Sequence, residues 1–227
     1  MKKYKIFIAC DTNKVSNIKK IIKKTQSSKL KIGYKFGLEF LNSKNGRNYL
    51  SKLKKKIIFA DLKIHDIPNT CMSTVKAIED LKVNFLTIHI SSGLDALKAV
   101  KKISGKTKIV GVTTLTSLNN KSLKEIGYTD NVDKIVLKQT NLIVKSGCDG
   151  VVCSAKEARL IRKKYKNLFI VTPGIRLPGD NKNDQSRVVT PHDALVKNKV
   201  SGIVIGRSLI LGNIKKNIRR LIDNLNQ

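Results

Sequence analysis

The chain has 227 residues, 41% of them hydrophobic, and sets 46 Lys and Arg against 16 Asp and Glu for a formal charge of +30. That length and apolar content suit one large folded domain and exclude a disordered chain in spite of the charge. The basic excess is mostly lysine, runs the whole length, and comes with no Trp and only 5% aromatics. Base readers use arginine forks and single-strand binders use stacking rings, so the lysines read as a solvated coat and no specific nucleic-acid partner is expected.

Short β-branched apolar runs alternate with stretches of helical period. In chain order the predicted strands are YKIFIACD from Tyr4, LKIGYKFG from Leu30, KKIIFADLK from Lys55 and FLTIHISS from Phe85. They continue with TKIVGVTTL from Thr107, CDGVVCSA from Cys148, LFIVTPGI from Leu168 and SGIVIGRSL from Ser201. Between them lie helical patterns such as NKVSNIKKIIKKT, TCMSTVKAIEDLK, GLDALKAVKKI, KIVLKQTNLIVKSG and AKEARLIRKKY. About eight β–α repeats, undivided by any linker, point to a single (β/α)8 TIM barrel over residues 1–227. An open doubly wound sheet is disfavoured because no G-x-G-x-x-G follows the first strand. The apolar run of the N-terminus stops at Asp11, too early for a signal peptide, and no later stretch approaches a membrane span. Cys10, Cys71, Cys148 and Cys153 lack metal-site or disulfide spacing, so a reduced, cytoplasmic protein is expected.

A barrel of this kind carries its chemistry where strands end. The polar residues there are Asp11, Lys35, Asp61, Lys63, His89, Ser91, Thr114, Thr116, Ser154, Thr172, Arg176 and Arg207. The densest stretch is ADLKIHDIPNT, Ala60 to Thr70, which spends two scarce acids around a lysine. Strand alternation predicts that Asp61 and Lys63 share the inner face and Leu62 the outer one. Asp66 falls on a short loop stiffened by Pro68, facing either its own site or a neighbouring subunit. A lysine between carboxylates stays protonated, which suits a positioned proton donor better than a nucleophile. A structural ion-pair network explains a bare D-x-K-x-x-D equally well. His65 has the opposite parity to Asp66 and reads as a packing or solvent residue, His89 as part of the mouth, and His192 as an early helical position. No metal is expected, because His and acids are not grouped at ligand spacings.

DLKIHDIPNT resembles the signature of orotidine 5′-phosphate decarboxylase. IACD, IGYKFGLEFL, TIHISSG, GVTTLTS, GCDGVVCSAKEA, VTPGIRLPGDNKNDQSRVVTP and GIVIGRSL resemble further blocks of that family, in family order, to near residue 210. The resemblance implies a cofactor-free enzyme that turns orotidine 5′-monophosphate into UMP in pyrimidine synthesis. It implies an alternating charged network of Lys35, Asp61, Lys63 and Asp66, with Asp66 contributed across a homodimer interface. By the same likeness Asp11 and Lys35 hold the ribose, Ile67 and Thr70 lie against the substrate, and Thr116 meets the pyrimidine. Gln185 and Arg207 grip the phosphate with Arg176 and Gly206 beside them. The loop LPGDNKND between Arg176 and Gln185, rich in Gly, Asp and Asn, reads on its own chemistry as a lid over the phosphate, with an ordinary flexible turn as the other reading. HISSG departs from the glycine-richer turn expected at that block. Two alternatives stay open: a sugar-phosphate decarboxylase or aldolase of the same barrel type, often Mg²⁺-dependent, and a basic nucleic-acid-binding barrel without catalysis.

Overall fold

A computed structural model of the chain describes residues 4–53, 55–180 and 188–227. Eight parallel strands close into a barrel in sequence order. They are β1 (Lys5–Ala9), β2 (Lys31–Gly37), β3 (Ile57–Ile64), β4 (Phe85–His89), β5 (Lys108–Val112), β6 (Gly150–Val152), β7 (Phe169–Thr172) and β8 (Gly202–Ile205). Pairing of β1 with β8 completes the ring. The expected (β/α)8 barrel is the architecture found.

The helices are α1 (Val15–Lys24), α2 (Leu38–Leu41), α3 (Gly46–Ser51), α4 (Pro68–Ala77), α5 (Gly93–Ile103), α6 (Asn120–Glu125), α7 (Val132–Ser146), α8 (Ala155–Lys164), α9 (Arg207–Ile210) and α10 (Ile214–Leu225). Their sequence logic is plainest in α10, where Ile214, Asn217, Ile218 and Leu221 are buried and Lys215, Lys216 and Arg219 face water. Spacings of three and four put one stripe against the barrel and leave the bases outside. Ser154 starts α8 with a reciprocal capping box, its side chain taking the Glu157 N–H while Glu157 takes the Ser154 N–H. Among the described residues no helix is long and apolar enough to cross a membrane.

Two apolar layers hold the fold. The larger lies between strands and helices. The smaller fills the barrel and is built on four rings, Phe7, Phe59, Phe85 and Phe169. Phe7 meets Phe59 and Phe85 edge-on at centroid distances of 5.0 and 5.2 Å, and Phe85 stacks on Phe169 at 5.4 Å. Such geometries suit the ring quadrupole and add about 0.5–1.5 kcal/mol per pair beyond burial. Gly33 makes room for this packing, since a Cβ there would stand 2.9 Å from the Phe7 ring. The rings therefore seal the barrel. One step further along the same strands, Lys35 follows Gly33 and Asp61 follows Phe59, so charge sits directly on an aromatic floor.

Candidate active site

Strand β3 does not run regularly to its end. Ala60 pairs with Leu86 and Ile64 with Ile88, so four steps on β3 oppose two on β4. The slack is taken up at Lys63, whose φ of 49° is left-handed. A lysine rarely adopts that backbone, and such residues persist where the surroundings over-determine them. Simple alternation predicted that Asp61 and Lys63 share a face. They do share one cavity, but a bulge rather than a regular pleat delivers Lys63 to it.

The bulge brings four charges into a chain. Asp61 Oδ2 accepts from Lys63 Nζ at 2.8 Å and lies 3.2 Å from Lys35 Nζ. Lys35 Nζ also donates to Asp11 Oδ1 at 3.2 Å. The second Asp61 oxygen, Oδ1, accepts from the Thr87 hydroxyl at 3.1 Å. Asp61 is buried, and burial pushes its carboxyl up; the Lys35 and Lys63 ammoniums outweigh that and hold it below the ordinary carboxylate range. Burial likewise pulls Lys35 down, and Asp61 and Asp11 more than restore it, leaving it above the ordinary lysine value. Asp61 and Lys35 therefore stay charged at neutral pH.

These groups line one side of a cavity of about 280 Å³ at the C-terminal mouth of the barrel. Phe59 forms part of its base, Val112 and Val152 its apolar wall, and Arg176, Gly206 and Arg207 its cationic side. Thr116 also lines it, on the loop after β5. That loop is held from α7, where Gln139 Oε1 accepts from the Thr114 N–H at 2.9 Å and from the Thr114 hydroxyl at 3.3 Å. Arg176 is buried at the start of the segment after β7. The neck of that segment is closed by Arg176 N–H donating to Val189 O at 3.1 Å. Its entry is tied to α10, since Arg220 Nη2 reaches Asp180 Oδ1 at 2.7 Å and Pro178 O at 2.8 Å. Gln185, and the lid expected over LPGDNKND beyond Asp180, lie outside the described residues.

Several expected residues stand apart from this cavity. Asp66, Ile67 and Thr70 are exposed. Asp66 Oδ1 takes the Ile67 N–H at 2.7 Å, and among the described residues the carboxylate makes no ion pair within its own chain. Ile67 is 66% exposed, a large apolar side chain beside the site. Ser154 is spent on the α8 cap, and Thr172 is fully buried outside the cavity lining. His65 is exposed and pairs with Ser91 Oγ at 3.2 Å, with its ring 5.1 Å from that of His89. His89 sits in a side cavity that shares Thr114 and Leu115 with the main one. Burial, His65 and Lys63 all push its pKa down. Sequence reasoning passed over Phe59, Thr87 and Gln139. Thr87 had a signal, a hydroxyl between Leu86 and Ile88 at an inward position of the strand.

Comparison with known proteins bears directly on this geometry. The model of the orotidine 5′-phosphate decarboxylase / HUMPS family matches residues 4–217. The chain belongs to that family. It is 40% identical over 218 residues to the orotidine 5′-phosphate decarboxylase of Prochlorococcus marinus strain AS9601, covering 90% of this chain and 88% of that protein. It is 38% identical over 232 residues to the Fusobacterium nucleatum enzyme of the same name, covering 98% and 96%. The crystal structure of orotidine 5′-phosphate decarboxylase from Lactobacillus acidophilus superposes with a TM-score of 0.83 at 30% identity, covering 99% of this chain and all of that one. The resemblance read from the motifs is thereby shown, and with it an enzyme of the carboxy-lyase class that these relatives' names carry.

Proposed function

We propose that this chain decarboxylates orotidine 5′-monophosphate to UMP, in the cytoplasm and for pyrimidine synthesis, through the Asp11–Lys35–Asp61–Lys63 chain. The observation that carries the reading is the buried Asp61 carboxylate, bound by two lysines on an aromatic floor. In the reaction the bond between C6 and the substrate carboxyl carbon breaks, CO2 leaves, and the electron pair stays at C6. No ring group takes up that pair, so its charge must be met where it forms. A fixed ammonium in a water-poor pocket does this without reorganising, and such preorganised charge supplies most of the rate enhancement in many enzymes. Lys63 meets the charge and then gives C6 a proton. Asp61 holds Lys63 in place and, beside the substrate carboxylate, disfavours the bound acid more than the departing neutral CO2. Asp11 and Lys35 take the ribose hydroxyls, and Thr116 meets the pyrimidine edge.

Arg176 and Arg207, with the backbone at Gly206 and with Gln185, take the phosphate. Binding there is remote from the bond that breaks, and its energy can be used to hold the reacting ring in place. The working unit we propose is one barrel spanning the whole chain, paired as a homodimer. Asp66, Ile67 and Thr70 form an exposed edge that suits an interface, through which Asp66 completes the charged network of the partner's site.

Loss of orotate absorbance on adding orotidine 5′-monophosphate, with EDTA present, is the direct test. Turnover in the wild type and none in Lys63→Ala, with UMP still bound by the variant, is the expected result. A folded wild type without turnover would overturn the proposal. Turnover abolished by EDTA would instead favour the sugar-phosphate alternative.

A further inference from the structure

We propose that Thr87 is a positioning residue for the reaction, fixing Asp61 and Lys63 to one another through a single hydroxyl. The inference rests on the decarboxylase reading above and adds a residue to it. Thr87 lies on β4 between Leu86 and Ile88, the two residues whose partners on β3 are separated by the bulge. It therefore faces the irregular stretch that carries both charged groups. Its hydroxyl oxygen accepts the Lys63 N–H at 2.8 Å and donates to Asp61 Oδ1 at 3.1 Å.

A threonine hydroxyl has one hydrogen. With the Lys63 N–H taken on a lone pair, that hydrogen is directed at Asp61. The residue is fully buried, so water does not compete for either bond. Two consequences follow from the same atom. The backbone of Lys63 is held in its left-handed state because its N–H, displaced from the β3–β4 ladder by the bulge, finds an acceptor in a side chain. The Asp61 carboxylate is held in one rotation, with Oδ1 on Thr87 and Oδ2 left to both lysines. A hydrogen bond to the ionised carboxylate also favours its charged form.

A purely structural threonine would affect stability alone, so the test needs a readout that packing does not move. Thr87→Val keeps the shape and removes the hydroxyl; Thr87→Ser keeps the hydroxyl and removes the methyl. Thr87→Val is expected to lower kcat by about 10- to 100-fold, the range for losing a hydrogen bond to a charged group, with UMP affinity changed little. Its acid limb of kcat/KM moves to higher pH, because Asp61 loses a donor that favours ionisation. Thr87→Ser is expected to restore both kcat and the limb. Thr87→Ala takes the place of Thr87→Val if the latter does not fold, since it also removes the hydroxyl.

Wild-type turnover separates the two ideas. Without it the decarboxylase reading falls. With it, a hydroxyl-free variant whose kcat and acid limb match those of Thr87→Ser would overturn the positioning role, whatever its melting temperature.

Discussion

Replacing Asp61 with Asn removes one charge from the centre of the network and leaves its two lysines facing an amide. Both ammonium nitrogens lie within 3.2 Å of one carboxylate oxygen. The repulsion between those two ammoniums exists in both proteins, so the substitution costs the charge-assisted contacts that offset it, about 1.5–3 kcal/mol for the Lys35 pair. Lys35 is largely buried, but the Lys63 side chain is 36% exposed, and screening there holds its pair to about 0–1 kcal/mol. The sum, about 1.5–4 kcal/mol, corresponds to a fall in Tm of about 3–16 °C for a chain of this size.

The pH dependence has a definite sign. The Asp61 pKa is depressed by folding, so its contribution is present above the ordinary carboxylate value and is lost as pH falls through the folded one. The Lys35 pKa is raised, so its contribution is present below the ordinary lysine value and is lost as pH rises through the folded one. The gap between wild type and Asp61→Asn should be widest near neutrality and narrow toward both extremes. Thermal unfolding followed by circular dichroism across that range measures it. A variant as stable as the wild type at pH 7, or a gap that does not change with pH, would refute the electrostatic account.

Arg207→Ala should weaken UMP binding by about 10- to 100-fold, a loss of about 1.5–3 kcal/mol, while uridine binding is unchanged; titration calorimetry with both ligands checks this. Mixing inactive Lys63→Ala with Asp66→Asn should restore part of the activity, because a hybrid dimer carries one site with both residues intact. No recovery under conditions where subunits exchange would remove Asp66 from the partner's site. The four cysteines are buried, and burial, with the Asp11 charge adding to it, pushes the Cys10 thiol up to about 12. They should react with a thiol reagent at pH 8 only as fast as the protein opens, and all four at once in denaturant.

Much of this was legible in the sequence because barrels repeat one local rule. Runs such as KIFIA and GIVI are too short and too β-branched for helices, and each sits on a strand of the barrel. The meeting of Asp11, Lys35, Asp61 and Lys63 was foreseen by placing each at a strand end. The short helices α2 and α3 were missed because Leu38–Leu41 and Gly46–Ser51 are too brief to show a period. The bulge was illegible for a different reason. Left-handed backbone usually announces itself with Gly or Asn, and here it falls on Lys63, whose conformation is imposed from β4. Asp66 marks another limit: it is exposed and does not line its own chain's cavity, and residue pattern alone left open whether it faces its own site or a neighbouring subunit.

The aromatic base gives the charged cavity a floor of packed rings. Phe7, Phe59, Phe85 and Phe169, in contact at 5.0–5.4 Å, fill the barrel beneath Lys35 and Asp61, and the cavity opens at the C-terminal strand ends. On the mechanism proposed above, the proton that Lys63 gives away is replaced from that mouth, past the nucleotide seated there. On the same mechanism, product still seated in the mouth postpones reloading of the donor, so one turnover is separated from the next by a departure.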